Sequence, residues 1–288
     1  MNYIIVTNTY NRPFELVTRS LKASLQQKIE PIAVFLIDQN EKKLELPEYI
    51  SKNKIFHHLK TDKRSVSSAR NSLEIPENVE WIFFCDDDGY PHPGYSEILR
   101  EKINSNPGIE ILAGSIVRTD NQKYYSLRHL KGGSLKYFRN TKKLFGSNFV
   151  IKTEVFKELG RFDENFGVGS FWGSSEETDF CWNAYFAGKK MEFFKELIVY
   201  HVPPFNESLK TGFKKAFMYG VGKGALVWKW LIKKRKIKVV YELVEMFIVP
   251  FIQMLNGIIK LKFQMIPINF AILTGRMFGL IKAAFTKW

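Results

Sequence analysis

Apolar residues arrive in two different rhythms along this chain. Over the first two hundred residues they form short, nearly unbroken runs: 3-YIIVT-7, 32-IAVFLID-38, 55-IFHHLK-60, 80-EWIFFCD-86, 109-IEILAGSIVR-118, 147-SNFVIK-152 and 197-LIVYH-201. Runs of this kind, rich in Ile, Val, Phe and Tyr, predict strands buried on both faces. Helical spacing separates most of them: about 13–27, 65–73, near 95–103, Thr153 to Leu159 capped by Gly160, and from the Ser174/Ser175 caps to Gly188. Strands alternating with helices predict right-handed βαβ units and an α/β domain with a mostly parallel sheet. Such sheets hold ligands beyond the carboxyl ends of their strands. Asp38 and the run Asp86, Asp87, Asp88 fall at such ends.

Beyond Pro203 the rhythm changes. Between Val239 and Leu261 the polar or small residues Glu242, Glu245, Gln253, Asn256, Gly257 and Lys260 fall, at 100° per residue, within an arc of about 120°. The rest of that helix surface is apolar. The uncharged runs Met246–Ile259 and Phe263–Gly275 are 14 and 13 residues long and are broken by Pro250 and Pro267. Neither reaches the roughly 18 residues that read as a bilayer span, so the expectation is helices that lie on a surface.

Charge sharpens that expectation. Residues 1–204 carry 28 Lys+Arg against 26 Asp+Glu, whereas residues 205–288 carry 15 against 3, so the net charge of +14 belongs to the tail. Trp228, Trp230, the cluster 233-KKRK-236 and Lys238 precede the apolar helix face. A basic cluster beside a wide apolar face favours an anionic membrane surface, at about 1 kcal/mol per basic residue. Helices packed on the rest of the chain, or in a homodimer, are the plainer alternative. Nucleic acid as partner, which a pI near 9.5 suggests by itself, fits badly because the positive charge is not interleaved with stacking residues.

Composition narrows the classes further. Hydrophobic residues at 45% and charged residues at 25% exclude global disorder, and 288 residues suffice for one large α/β domain with an appendage. Cys85 and Cys181 lie in apolar runs without metal-type spacing, as reduced core residues of a cytosolic protein do. The opening residues lack the basic, apolar, small-residue order of an export signal. The expected location is cytoplasmic, peripheral on the inner face of the cell membrane.

The aspartate run carries the strongest chemical signal. Two carboxylates about 4 Å apart repel by roughly 4 kcal/mol at an effective dielectric near 20, so three adjacent ones at a strand end call for a neutralising cation. An N-cap for the helix near 95–103 explains one carboxylate, not three. Clustered oxygen ligands suit Mg²⁺ or Mn²⁺ held together with substrate phosphates. A second acidic cluster, Glu176, Glu177 and Asp179, follows a Gly- and Phe-rich loop containing Trp172. Ser174 with Glu177 also fits a capping box, so spacing alone leaves general base and helix cap even. His201, ending a strand, becomes a ligand candidate once a divalent ion needs an imidazole.

The order of these motifs resembles the family 2 glycosyltransferases of GT-A fold, inverting enzymes that use nucleotide-sugar donors. The resemblance runs from Tyr3 to about Pro203, through 4-IIVTNTYNRPFELVTRSLKAS-24, 36-LIDQN-40, 69-ARN-71, 82-IFFCDDDG-89, 145-FGSNFVIKTEVFKELGRFDENFG-167, 175-SEETDF-180 and 199-VYH-201. It implies that Thr7, Thr9, Tyr10 and Asp38 hold the nucleotide base and ribose, with Arg70 at the base or diphosphate. It implies Asp86 at the ribose or metal, Asp87 and Gly146 beside the donor, and Asp88 and His201 as metal ligands. The family's acidic motif reads Glu-Asp where this chain has Glu176-Glu177, so Glu177 stands in the base position, with Asp179 in reserve and Glu176 and Trp172 toward the acceptor.

The resulting expectation is an α/β GT-A catalytic domain over 1–204 and a basic, amphipathic helical tail over 205–288. It would move a sugar, with inversion, from a nucleotide sugar, UDP-linked for preference, to a saccharide or polyprenyl-diphosphate-linked acceptor, in bacterial surface polysaccharide synthesis. Lys210, Lys214 and Lys215 are expected in a mobile lid over the diphosphate. A metal-dependent nucleotidyltransferase and a non-enzymatic basic binding protein are the rivals.

Overall fold

The computed structural model describes residues 1–203 and 208–288. The domain boundary expected at 204/205 falls outside the described residues. Two compact units are present: one comprises Met1–Asp163 and Phe180–Pro203, the other Glu164–Asp179 and Pro204–Trp288. The Gly- and Phe-rich loop and the first residues of the acidic motif thus belong with the C-terminal helices.

In chain order the first unit contains β1 (Tyr3–Thr9), α1 (Phe14–Leu25), β2 (Ala33–Asp38), α2 (Glu48–Ser51), β3 (Phe56–Lys60), α3 (Val66–Asn71), β4 (Trp81–Cys85), β5 (Gly89–Pro91) and α4 (Tyr95–Ser105). It continues with β6 (Ile111–Arg118), β7 (Gly133–Ser134), β8 (Asn148–Lys152), α5 (Thr153–Glu158), the greater part of α6 (Glu176–Phe186) and β9 (Met191–His201). The strands form one sheet in the order β3-β2-β1-β4-β8-β6-β9-β5, with β7 beside β9. Alternate residues of the same strands feed two cores. Ile4, Val6, Phe35, Ile37, Ile82 and Phe84 pack on one face, and Tyr3, Ile5, Val34, Leu36, Trp81 and Phe83 on the other. Burial on both faces is why these strands read as unbroken apolar runs.

The sheet is parallel from β3 through β4 and again between β6 and β9, but mixed overall, because β8 runs antiparallel to both its neighbours. The last strand is longer than the expected 197–201. It starts at Met191 and changes register against β6 between Gly114 and Ser115. Asn148 closes that irregularity: its Nδ2 donates to the carbonyls of Ser115 and Leu197 at 2.7 and 2.9 Å, and its Oδ1 accepts from the Tyr95 hydroxyl at 2.7 Å. No side chain fits at Gly114, where a Cβ would lie 2.2 Å from the Leu197 carbonyl oxygen.

The second unit contains α7 (Leu209–Trp228), a π-helical turn Lys229–Lys233, α8 (Val240–Ile259) and α9 (Met265–Phe285). α7 and α9 run parallel along a seam of small residues: Ala216, Gly220 and Gly224 against Ala271, Gly275, Gly279 and Ala283. A Cβ at Gly224 would stand 2.1 Å from the Arg276 carbonyl oxygen, and one at Gly279 2.1 Å from that of Val221. Backbone packs directly on backbone, as in small-xxx-small helix pairs.

α8 is built inside out. Its buried residues are Glu242, Met246, Pro250 and Gly257, from the side of the polar arc, while Ile248, Phe251, Leu255 and Ile258 are exposed. Glu242 accepts from Lys223 Nζ at 2.6 Å. Pro250 has no N–H to give to the carbonyl four residues earlier, and Arg276 Nη1 donates to that carbonyl, on Met246, at 2.6 Å.

The short uncharged runs therefore understate the helices. Helical structure continues through Pro250, and Pro267 sits in the first turn of α9, where its missing N–H has no intrahelical partner to lose. Ile237–Ile259 and Met265–Phe285, 23 and 21 residues with mean hydropathy 1.5 and 1.3, are both long and apolar enough to cross a membrane.

Candidate active site

β4 delivers Asp86, Asp87 and Asp88 at its carboxyl end, and β5 then pairs antiparallel with β9 so that Gly89 lies opposite His201. That register sets His201 beside Asp88, with Nε2 2.9 Å from Oδ1. The other ring nitrogen, Nδ1, donates to the Val202 carbonyl at 2.7 Å, which orients Nε2 toward the carboxylates. The packing there is close: a Cβ at Gly89 would stand 3.2 Å from Val199 Cγ1 and 3.4 Å from His201 Cδ2.

The repulsion expected within the aspartate run is offset by three cationic side chains of the protein itself. Arg12, in the loop after β1, places Nε 2.9 Å from Asp87 and Nη1 2.9 Å from Asp88. Arg70 on α3, 2% exposed, reaches Asp86 Oδ1 with Nη2 at 3.3 Å and Asn8 with Nε at 3.3 Å. Its guanidinium also lies over the Phe84 ring at 5.2 Å. Burial pushes the Asp87 carboxyl up to about 7 despite Arg12. Burial would raise Asp88 too, yet its bond to His201 and the charges of His201 and Arg12 hold it below the usual range. His201 in turn is driven up to about 9, because its bond to Asp88 outweighs its own burial.

Asp86, Asp88 and His201 offer three ligand atoms within 4.8 Å of one another. Two carboxylate oxygens and an imidazole nitrogen form a donor set suited to Mn²⁺ or Mg²⁺. Arg70 Nη1 is buried and has no hydrogen-bond partner among the described residues, a donor that a ligand oxygen would satisfy. The residues present therefore fit a divalent ion with a diphosphate.

The other expected residues divide into those beside this centre and those elsewhere. Thr7 and Thr9 are buried on β1, 0% and 1% exposed, and Tyr10 stands 60% exposed past its end. Gly146 lies in the turn before β8, partly buried. Asp38 is fully enclosed: Oδ1 accepts from the backbone and side chain of Asn40, and Oδ2 from Leu44 N and His58 Nε2. These bonds outweigh burial and lower its pKa. Both its oxygens brace the 38–44 turn, so any contribution to base recognition runs through that turn.

In the second unit, Glu176 and Glu177 occupy the first turn of α6, each partly buried. The Ser174 hydroxyl, just before that turn, donates to the Tyr219 carbonyl at 3.3 Å. Asp179 is not placed to serve as a reserve base. It is 4% exposed, and its oxygens accept from Lys229 Nζ at 2.7 Å and from Trp230 Nε1 at 2.7 Å. Trp172 likewise is 1% exposed, stacked on Trp288 at 5.4 Å and Phe166 at 6.5 Å, so it has no free face for a sugar. Phe171, 53% exposed, is the accessible aromatic residue of that loop. Lys210, Lys214 and Lys215 are exposed positions in the first turns of α7. Sequence reasoning missed Arg12 and His58; Arg12 had a signal, since it follows a strand end facing a carboxylate run.

This strand-end centre on a GT-A sheet belongs to a known class: the profile of glycosyl transferase family 2 matches residues 4–160, and the chain is a member of that family. A curated relative, the glucosyl-dolichyl phosphate glucuronosyltransferase of Haloferax volcanii, is 22% identical over 216 residues, 70% of this chain and 69% of its own. Among solved structures, TarS of S. aureus (residues 1–349) in complex with UDP has a TM-score of 0.56 at 15% identity, covering 77% of this chain and 65% of that one, just under two thirds. The same TarS fragment in complex with UDP-GlcNAc matches at 12% identity and TM-score 0.56, over 96% of this chain and 91% of that one. At these identities the solved structures speak for the fold.

Proposed function

We propose that this glycosyltransferase is inverting and metal-assisted, and that it moves a sugar from a UDP-sugar to a lipid-linked saccharide. The observation that carries the reading is the convergence of Asp86, Asp88 and His201 next to the unpartnered N–H of Arg70. A divalent ion held by those three residues would supply Lewis-acid stabilisation of the departing diphosphate. Arg70 donates to a diphosphate or ribose oxygen, and the buried aspartates and the turn braced by Asp38 orient the nucleotide. Glu177, in the family's base position, takes the proton of the acceptor hydroxyl as that oxygen bonds to the anomeric carbon opposite the breaking bond to the diphosphate. The H. volcanii relative's name, with its dolichyl phosphate-linked acceptor, supports a polyprenyl-type acceptor here, and with it a role in envelope glycan assembly.

The second unit supports membrane association. A helix that turns Glu242 inward and Ile248, Phe251, Leu255 and Ile258 outward is suited to an apolar solvent. α8 spans about 30 Å at 1.5 Å per residue, the thickness of the hydrocarbon layer. Its cationic flank at 233-KKRK-236 suits anionic headgroups.

A thermal-shift panel of UDP-, GDP- and dTDP-sugars, each with Mn²⁺ or with EDTA, tests the reading. A UDP-sugar at about 100 times its Kd adds roughly 2.7 kcal/mol of stability, and the shift disappears in EDTA. Equal shifts with and without metal overturn the metal-assisted part. Release of pyrophosphate from UTP, rather than of UDP from a UDP-sugar, favours a nucleotidyltransferase.

A further inference from the structure

The acidic turn that carries Glu177 is held from one side by the end of α7. Asp179 is enclosed, and its carboxylate takes three hydrogen bonds from Lys229 and Trp230, themselves 9% and 3% exposed. Those two donors are consecutive residues that open the π-helical turn Lys229–Lys233 following α7, a deviation that clusters at functional sites. Lys229 Nζ also lies 5.0 Å from the centre of the Phe166 ring.

On stability grounds alone this arrangement is unnecessary. Well-packed apolar residues of the same size serve as well as, or better than, a buried ion pair. Its consequence is orientation. Residues two apart on a helix project to opposite sides, so locking Asp179 fixes the rotation of the first turn of α6 and the direction in which Glu177 points. The residues just before that turn are held as well. Gly222 of α7 has no room for a side chain, since a Cβ would meet Ser174 Oγ at 2.1 Å and the Trp172 carbonyl at 3.0 Å. Ser175 has a left-handed φ of 75°, a backbone state that persists where surrounding structure over-determines it.

We propose that Lys229 and Trp230 are positioning residues for sugar transfer: through Asp179 they set the rotation of the acidic turn and so the aim of Glu177. The inference rests on Glu177 as base. The test compares Trp230→Phe, Lys229→Arg and the paired Asp179→Asn/Lys229→Met with the full-length enzyme, measuring UDP release from the UDP-sugar found in the thermal panel. The acceptor is a short-chain polyprenyl-phosphate saccharide, and kcat and donor KM are determined separately.

The paired variant removes both charges while keeping the volume. Its kcat falls by about 10- to 100-fold, as for a misplaced catalytic group, while the donor KM stays within about twofold. Trp230→Phe shows a smaller loss of the same kind, and Lys229→Arg, which retains a cation for Asp179, keeps most of the rate. Amide exchange over 176–180 quickens in the paired variant and in Trp230→Phe. If the paired variant does not fold, Trp230→Phe decides: it removes the Nε1–H donor to Asp179 while leaving both charges in place, and its kcat is read per folded protein because the smaller ring also leaves a cavity.

Wild-type kcat in Trp230→Phe and the paired variant overturns the inference, as does a kcat loss that merely tracks the folded fraction. Glu177→Gln separates the two levels. An active Glu177→Gln sinks the base reading and this inference together. An inactive one beside a fully active Asp179→Asn/Lys229→Met sinks the inference alone.

Discussion

Replacing one glycine of the α7–α9 seam by alanine has a sign that the structure fixes. Alanine in a helix interior is favoured over glycine by about 1 kcal/mol, so propensity alone predicts that Gly279→Ala stabilises. The new Cβ, however, would stand 2.1 Å from the Val221 carbonyl oxygen and 2.8 Å from its carbonyl carbon, where ordinary contact begins near 3.4 Å. The two backbones must part by about 1.3 Å, and neither neighbour is a side-chain end that can swing aside. Overpacking costs typically 1–3 kcal/mol, and a backbone neighbour places this site at the upper end. The net expectation is a loss of about 2 kcal/mol, or roughly 4–8 °C in Tm for a chain of this size. Gly212→Ala is the matched control, because its Cβ meets only Ile268 Cδ1, at 3.3 Å, the movable tip of a side chain. That variant should be neutral or up to about 1 kcal/mol more stable. Thermal melts of both variants in the same detergent, followed by circular dichroism, give the comparison. A rise in Tm for Gly279→Ala equal to that for Gly212→Ala refutes the direct backbone seam.

Three further outcomes follow from the two units. Asp88→Ala should abolish Mn²⁺-dependent UDP-sugar binding in the thermal assay and reduce transfer by about 10²–10³-fold or more, whereas Glu177→Gln should lose transfer and keep the thermal shift. In metal-free protein, His201 carries a pKa of about 9 when folded against about 6.5 when unfolded. A raised basic pKa contributes stability that is complete below pH 6.5 and lost as pH rises through 9, on the order of 3 kcal/mol. Melts across that range should therefore fall, and His201→Asn should flatten the fall; an unchanged slope in the variant contradicts the Asp88–His201 pair. Finally, flotation with vesicles containing anionic lipid should persist at 1 M salt, where the Debye length is about 3 Å, because the exposed face of α8 is apolar; complete release would mean that the lysines alone hold the protein there.

The strand pattern was readable because burial on both faces leaves a continuous apolar signature, and the carboxyl-end position of Asp86 to Asp88 followed from it. The direction of a strand leaves no such signature, which is why the antiparallel entry of β8 could not be anticipated from 147-SNFVIK-152. The acidic motif shows the limit more sharply. Glu177 and Asp179 look alike in sequence, and what separates them is Lys229 and Trp230, fifty and fifty-one residues further along the chain. Trp172 was similarly withdrawn by Trp288 and Phe166. For α8 the angular arithmetic located the polar arc correctly, but nothing in the arc tells whether it faces solvent or a neighbour; Lys223 and Arg276 decide that.

The bond from Arg276 to the Met246 carbonyl makes two distant positions share one history. Pro250 frees that carbonyl and Arg276 occupies it, so neither residue's effect can be judged alone. Arg276→Met in the presence of Pro250 strands an acceptor inside the helix trio. The same substitution after Pro250→Ala meets a carbonyl already served by its own helix. The order in which such changes accumulate then decides which are tolerated: a proline can be lost first with little harm, an arginine cannot. Across homologues the pair should come and go together, with arginine outlasting proline wherever only one of them is found.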